Sequence, residues 1–305
     1  MMKVGAIDVG TNSCRMLAVE QYGDKLEEIC FDLKTTRLGQ GVDEKRLLNY
    51  DAVRRTLYAI EFFVNKMEGL GVERIRIVGT SALRDVRNSN ILLDVVKRRT
   101  GYELEVISGV EEARLTYTGA SFDINGNDFL IIDIGGGSTE FIWQQPSGLS
   151  FKSLDMGAVR MTERYIKTPD KPVDSQDLAR IKEVINRMLK GKLKLNPAGI
   201  NVIGVGGTIT TLAAIDLKMK KYDRDKVHGY KITRDKIEEI LLRLAGKTLE
   251  ERRKIVGLQP ERADIIVAGT IIALAIIDYL ALDHITVSEH DILYGLIKEM
   301  LDLSH

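Results

Sequence analysis

Residues 130–141 read LIIDIGGGSTEF, a run of core-type aliphatics that ends in Asp133, three glycines, Ser138, Thr139 and Glu140. A buried strand has no use for that ending, because glycine weakens strands and a carboxylate is costly to desolvate. The pattern occurs a second time. Setting Ile7-Asp8-Val9-Gly10-Thr11-Asn12-Ser13 over Ile132-Asp133-Ile134-Gly135-Gly136-Gly137-Ser138 aligns Ile, Asp, Gly and Ser at one constant offset of 125 residues. Solenoid repeats run about 20 to 50 residues, so this spacing predicts two domains of related fold facing one another.

Each copy predicts a strand, a carboxylate at its end, and a hairpin whose small residues leave backbone N–H groups exposed. Such a loop can grip phosphate: glycine allows close approach and positive φ, Ser and Thr add hydroxyl donors, and the carboxylate can hold Mg²⁺ directly or through water. A plain hairpin is the alternative reading of each copy, and two copies that both end in Ser favour phosphate over it. The phosphate candidates are Thr11, Asn12 and Ser13 in the first loop and Gly135, Gly136, Gly137, Ser138 and Thr139 in the second; the metal candidates are Asp8 and Asp133. A third loop follows another aliphatic strand in NVIGVGGTITTLAAI, residues 201–215, with Gly206, Gly207 and Thr208 opening a helix. Helix N-termini attract anions through unpaired N–H groups and the macrodipole.

Outward from these loops, VGAIDVG reads as a strand, and MLAVEQYG and KLEEICFDLKTTRLG as two more around a turn at Gly23-Asp24. Residues 51–68 set Val53, Leu57, Ile60, Phe63, Val64 and Met67 on one helical face, closed by Gly69 and Gly71. RIRIVG (74–79) reads as a buried strand, NILLDVVKRRTG as a helix ending at Gly101, and ELEVIS as a strand. The cycle restarts after the polar turn DINGND, residues 123–128. Helices alternating with strands imply parallel pairing in an α/β layer structure.

A chain of 305 residues exceeds what one core usually serves. Lys plus Arg and Asp plus Glu both number 44, so no overall field draws nucleic acid or an anionic membrane, and any polyanion must be held by local geometry. Cys14 and Cys30 form neither a metal-ligand spacing nor a disulfide framework, and the N-terminus lacks a signal-peptide pattern, so a cytoplasmic setting is expected. The apolar run IIVAGTIIALAII, residues 265–277, is short of the roughly 18–20 residues that span a bilayer and predicts a buried helix.

The chain resembles the exopolyphosphatase and guanosine pentaphosphate phosphohydrolase (Ppx/GppA) family of the actin, Hsp70 and sugar-kinase superfamily. The resemblance runs through AIDVGTNSCRMLAV, RLGQGV, GTSALRDVRN, ISGVEEARLTYTG, IIDIGGGSTE and GVGGTITTLAA, in that order. It implies two ribonuclease-H-like domains, expected at 1–121 and 122–305, with substrate in an interdomain cleft. It also implies Mg²⁺ and release of terminal phosphate from inorganic polyphosphate or from pppGpp. The chain looks like the short form, without extra helical C-terminal domains.

VISGVEEARL offers two adjacent glutamates. Ser108 and Glu111 fit a capping box, which gives Glu111 a structural role and leaves Glu112, about 100° further round the helix, as the candidate base. The family motif likewise places its base just before Ala-Arg. Glu140, two residues past Ser138, is the second catalytic candidate, and Arg84 a bidentate phosphate ligand unless Asp85 pairs with it. Arg15, Arg37, Lys226 and His228 are candidate cations for the rest of a long polyanion, which would make affinity salt-sensitive and dependent on chain length. Many family members carry Leu-Arg-Glu-Gly where this chain has Ile292-Leu293-Tyr294-Gly295, which puts in doubt any contact made by that Arg and Glu.

The expected function is Mg²⁺-dependent exopolyphosphatase activity, with pppGpp 5′-phosphohydrolase as the alternative. An ATP-using kinase or ATPase of the same superfamily and a non-catalytic sensor of alarmone or polyphosphate are the other classes. Expected partners are inorganic polyphosphate or guanosine penta- or tetraphosphate, with neither nucleic acid nor membrane; a homodimer is compatible with these expectations.

Overall fold

A computed structural model describes residues 2–23, 25–122, 129–195 and 201–301. The DINGND turn and Asp24 of the expected hairpin lie outside the described residues. The chain divides into two compact units, residues 1–123 with 290–305, and residues 124–289.

In the first unit β1 (Met2–Val9), β2 (Ser13–Tyr22) and β3 (Lys25–Thr35) form the expected meander. They are followed by α1 (Val42–Lys45), α2 (Tyr50–Gly69), β4 (Arg74–Gly79), α3 (Ser81–Arg84), α4 (Asn90–Thr100), β5 (Leu104–Val106) and α5 (Gly109–Ala120). The sheet order is β3-β2-β1-β4-β5, with β4 and β5 joined in parallel through the helical crossovers. Val53, Ile60, Phe63, Val64 and Met67 of α2 are buried as their spacing predicts, and α4 stops at Gly101 in the left-handed region (φ 80°). Gly5 leaves room for α2: a Cβ there would come within 3.1 Å of the Met67 methyl.

The second unit comprises β6 (Phe129–Ile134), β7 (Thr139–Gln145), β8 (Gly148–Leu154), α6 (Ala158–Tyr165), α7 (Ser175–Lys192), β9 (Asn201–Val205) and α8 (Gly206–Asp216). It continues with α9 (Arg224–Val227), β10 (Lys231–Thr233), α10 (Arg234–Ala245), α11 (Leu249–Arg252), α12 (Ile266–Tyr279) and β11 (His284–Val287). Its sheet order is β10-β11-β9-β6-β7-β8. Apart from the added β10, this repeats the first sheet, with an antiparallel meander on one side of the loop-bearing strand and two parallel strands on the other. The apolar run at 265–277 starts at the N-cap Ile265 and continues into α12, where every residue from Ile266 to Ile277 is buried. No described helix is long and apolar enough to cross a membrane.

The domain boundary differs from the expected division into 1–121 and 122–305. Helix α13 (Ile292–Met300) belongs to the first unit, because its apolar face covers a patch of Val4, Ala6, Leu17, Val78 and Leu115 on that unit's sheet and α5. The fit against α5 is made by two glycines. A Cβ on Gly119 would stand 2.9 Å from the Gly295 nitrogen, and one on Gly295 would stand 2.7 Å from the Leu115 carbonyl carbon. This also accounts for the Ile292-Leu293-Tyr294-Gly295 departure, since Leu293 and Tyr294 are buried. Tyr294 lies against the His290 ring at 3.8 Å between centroids and bonds through its hydroxyl to Glu28.

Candidate functional site

The 125-residue repeat survives down to single hydrogen bonds. Gly10 N–H donates to the Ser13 carbonyl at 3.0 Å, and Gly135 N–H donates to the Ser138 carbonyl at 3.0 Å. The strand register repeats too, with Val9 opposite Cys14 and Ile134 opposite Thr139. Both loops are therefore the same closed hairpin, and the aspartates sit one residue inside the last strand position of each.

The copies diverge at one register pair. Opposite Asp8 stands Arg15, whereas opposite Asp133, at the matching position, stands Glu140. Directly opposed residues share a sheet face, and like charges there are unfavourable unless something between them is positive. The first copy supplies its own cation. The second sets two carboxylates, Asp133 and Glu140, opposite one another. Glu140 is buried, and the Ser153 hydroxyl donates to its Oε1 at 2.7 Å, which orients the group.

In the first unit Asp8 is 5% exposed. Arg15 donates to Asp8 Oδ2 through Nε at 3.1 Å and Nη2 at 2.5 Å, and also bonds Asp291. Oδ1 of Asp8 is buried with no hydrogen-bond partner among the described residues. Burial pushes the Asp8 carboxyl up, with Arg15 acting in the opposite direction. An orphaned buried carboxylate oxygen fits a metal ion or a metal-bound water, so Asp8 of the first unit fits Mg²⁺; no group of three or more His, Cys, Asp or Glu side chains that could hold a metal ion occurs among the described residues.

Thr11, Asn12 and Ser13 form the turn that carries this strand end. Asn12 Nδ2 donates to Ser13 Oγ at 3.2 Å, and the Asn12 carbonyl accepts from the N–H groups of Thr36 and Arg37. The RLGQGV stretch thus braces the first loop from behind. Arg37 itself adopts a left-handed backbone (φ 51°), and the buried Thr36 hydroxyl has no partner among the described residues.

Helix α5 begins as expected at Ser108, whose hydroxyl accepts from Glu111 N–H at 3.2 Å. The reciprocal half of the capping box is replaced: the Glu111 carboxylate takes Arg114 at 3.1 and 2.6 Å, which holds it below the ordinary carboxylate range. Glu111 is still structural, by a different partner. Glu112 receives Arg84 Nη1 at 2.6 Å, and the same nitrogen donates to the Ile107 carbonyl at 3.1 Å. Arg84 therefore pairs with the candidate base and not with Asp85, whose carboxylate lies 3.9 Å from Arg46.

In the second unit the N-terminal turn of α6 holds the glycine loop. Ala158 N–H donates to the Gly135 carbonyl at 2.9 Å, Val159 N–H to Gly136 at 2.9 Å, and Gly157 N–H to Gly137 at 3.2 Å; Arg160 Nε reaches the Gly137 carbonyl at 2.6 Å. With three carbonyls drawn to α6, the loop's backbone is fixed before any ligand arrives. The Ser138 side chain is buried beside it. Thr139 needs correction as a phosphate donor, because its hydroxyl is fully buried and donates to the Met156 carbonyl at 2.7 Å.

The third loop meets the second. Gly206 has φ 84°, and a Cβ on it would run into the Asp133 carboxylate, so only glycine lets the α8 terminus approach that strand end. A Cβ on Gly207 would overlap the Arg262 guanidinium, which is buried and bonded through Nε to Gln259 at 2.9 Å. Arg262 escaped the sequence reading because it lies 55 positions beyond the loop it borders. Thr208 is buried with its methyl against Gly269 of α12, 2.8 Å from where a Cβ would stand, which makes it a packing residue.

Of the candidate groove cations, Arg15 is committed to two carboxylates. Lys226 is exposed and 3.1 Å from Asp223, and His228 accepts Glu289 N–H on Nδ1 at 3.2 Å.

Two α/β units of one topology, each ending its central strand in an aspartate and a closed small-residue hairpin, define a duplicated protein of the actin-like ATPase fold. Within that class the chain belongs to the Ppx/GppA phosphatase family, whose profile matches residues 19–304. It is 33% identical over 313 aligned positions to exopolyphosphatase 2 of Mycobacterium tuberculosis, covering 97% of this chain and 98% of that one. It is 32% identical to the guanosine-5′-triphosphate,3′-diphosphate pyrophosphatase of Vibrio atlanticus, covering 97% of this chain but 59% of that protein. Among solved structures, the Ppx/GppA family member of Aquifex aeolicus superposes with a TM-score of 0.82 at 30% identity, covering 100% of this chain and 99% of that one.

Proposed function

We propose that this protein is an exopolyphosphatase that removes the terminal phosphate of inorganic polyphosphate in the cytoplasm. The observation that carries this is the Glu112–Arg84 pair at the head of α5, in a unit whose neighbouring loop ends in a buried, half-satisfied aspartate. Phosphoryl transfer needs a group to take a proton from the attacking water and cations to offset charge on the phosphoryl oxygens. Glu112 fills the first role: it accepts a water proton as the water oxygen bonds to phosphorus and the bridging oxygen leaves with the shortened chain. Arg84 fills the second, turning from Glu112 toward a phosphate oxygen, and that exchange frees the base when substrate is present. In each unit the hairpin's N–H groups, with Ser13 in the first and Ser138 in the second, offer donors to a phosphate. The carboxylate candidates for Mg²⁺ are Asp8 in the first unit and Asp133 with Glu140 in the second, and the ion supplies charge neutralisation when bound.

Polyphosphate is preferred over pppGpp because the relative named as an exopolyphosphatase has the higher identity, 33% against 32% for the relative named as a guanosine-5′-triphosphate,3′-diphosphate pyrophosphatase. The test is phosphate release from long-chain polyphosphate, pppGpp and ATP, with and without Mg²⁺. Fast, Mg²⁺-dependent release from polyphosphate is expected. Preferential hydrolysis of pppGpp would favour the alternative, turnover of ATP alone would favour an ATPase, and binding without release from any of the three would favour a sensor.

A further inference from the structure

Asp291 plays no part in the proposed chemistry, yet it is buried at a junction of three features. Its Oδ1 accepts Leu293 N–H at 3.1 Å and so caps α13. Its Oδ2 accepts Arg15, whose other nitrogens hold Oδ2 of Asp8. Its backbone lies against α5, since a Cβ on Gly119 would stand 2.8 Å from the Asp291 carbonyl carbon. Two carboxylates therefore share one guanidinium inside the first unit, leaving the trio one negative charge in excess and one oxygen, Asp8 Oδ1, buried without a partner.

We propose that Asp291 is a positioning residue for the divalent cation: by drawing Arg15 toward itself it confines the guanidinium to Oδ2 of Asp8 and keeps Oδ1 available as a ligand. This rests on the assignment of Asp8 to Mg²⁺ made above. Without the second carboxylate, one guanidinium would face one carboxylate, the pair would be neutral, and Arg15 would be able to bridge both Asp8 oxygens. Either change weakens the attraction for a cation.

The decisive variant is Asp291→Asn, because asparagine caps a helix as well as aspartate does while removing the charge. Mg²⁺ binding to the substrate-free protein is measured by titration calorimetry, beside the Mg²⁺ dependence of phosphate release. In Asp291→Asn the Mg²⁺ dissociation constant is expected to rise about tenfold, the order expected for one charge lost near a divalent ion in a partly buried site. kcat should recover at saturating Mg²⁺, with KM for phosphate chains unchanged. Asp291→Glu, which keeps the charge and risks the cap, should bind Mg²⁺ within about twofold of the parent. A purely structural Asp291 would reverse this order, with Asn harmless and Glu damaging, and that result overturns the proposal. Asp8→Asn separates the two inferences. If it weakens Mg²⁺ binding while Asp291→Asn does not, the role given to Asp291 fails alone; if neither variant changes Mg²⁺ binding, the metal assignment of Asp8 fails and the proposal with it.

Discussion

Glu111 and Glu112 are chemically identical neighbours separated by their partners. Glu111 is tied to Arg114, which also bonds Glu299 of α13, so its charge is used to fasten one helix to another. Glu112 faces Arg84, a group with its own use for a phosphate. Replacing Glu112 with Gln keeps size and helix propensity and removes the base, so kcat should fall about 10² to 10⁴-fold with little change in substrate binding. Glu111→Gln should leave kcat within a few-fold and instead lower the thermal midpoint. Steady-state rates and a binding titration on both variants check this, and a dead Glu111→Gln beside an active Glu112→Gln would mean the wrong glutamate carries the chemistry.

At the scale of elements, the glycines divide into those that make room and those that do not. Gly295 lies where α13 crosses α5, and any Cβ there would strike the Leu115 backbone, which cannot yield as a side chain could. Gly295→Ala should cost about 3 kcal/mol, at the upper end for overpacking of a tight contact. Gly109, in the first turn of α5, faces open space, and Gly109→Ala should change stability little or raise it by up to about 1 kcal/mol. Urea unfolding of both variants measures the contrast. Much of this level was legible in the sequence. The alternation of apolar residues gave the meander and the α2 face, and the repeat offset reappears as identical hydrogen bonds in both hairpins. What could not be read were contacts between distant side chains: Arg15 with Asp291 across 276 positions, Arg262 at the third loop, and the Thr139 hydroxyl turned away to Met156. Periodicity reports which face of an element is apolar, and it carries no information on which polar groups meet once the elements have packed.

At the scale of the molecule, the first unit is discontinuous in sequence, and its last helix hides Val4, Leu17, Val78 and Leu115. Deleting residues 290–301 should expose that apolar patch and strip α5 of the helix that fastens it, while the second unit, contiguous from 124 to 289, keeps its own core. Limited proteolysis of the truncated protein should yield a resistant fragment from the second unit and rapid loss of the first; equal resistance of both would show that α13 contributes little. The return of α13 has a further consequence for biosynthesis. A ribosome emits the first unit's sheet and α5 early, then must deliver all of 124–289 before the helix that covers them emerges. The nascent sheet therefore waits with its apolar face uncovered for the longest interval the chain order allows, while the later-made second unit is complete first. Chaperone demand during translation should accordingly fall on the amino-terminal sheet, and any delay in elongation between residues 124 and 289 lengthens the time it stays open to aggregation.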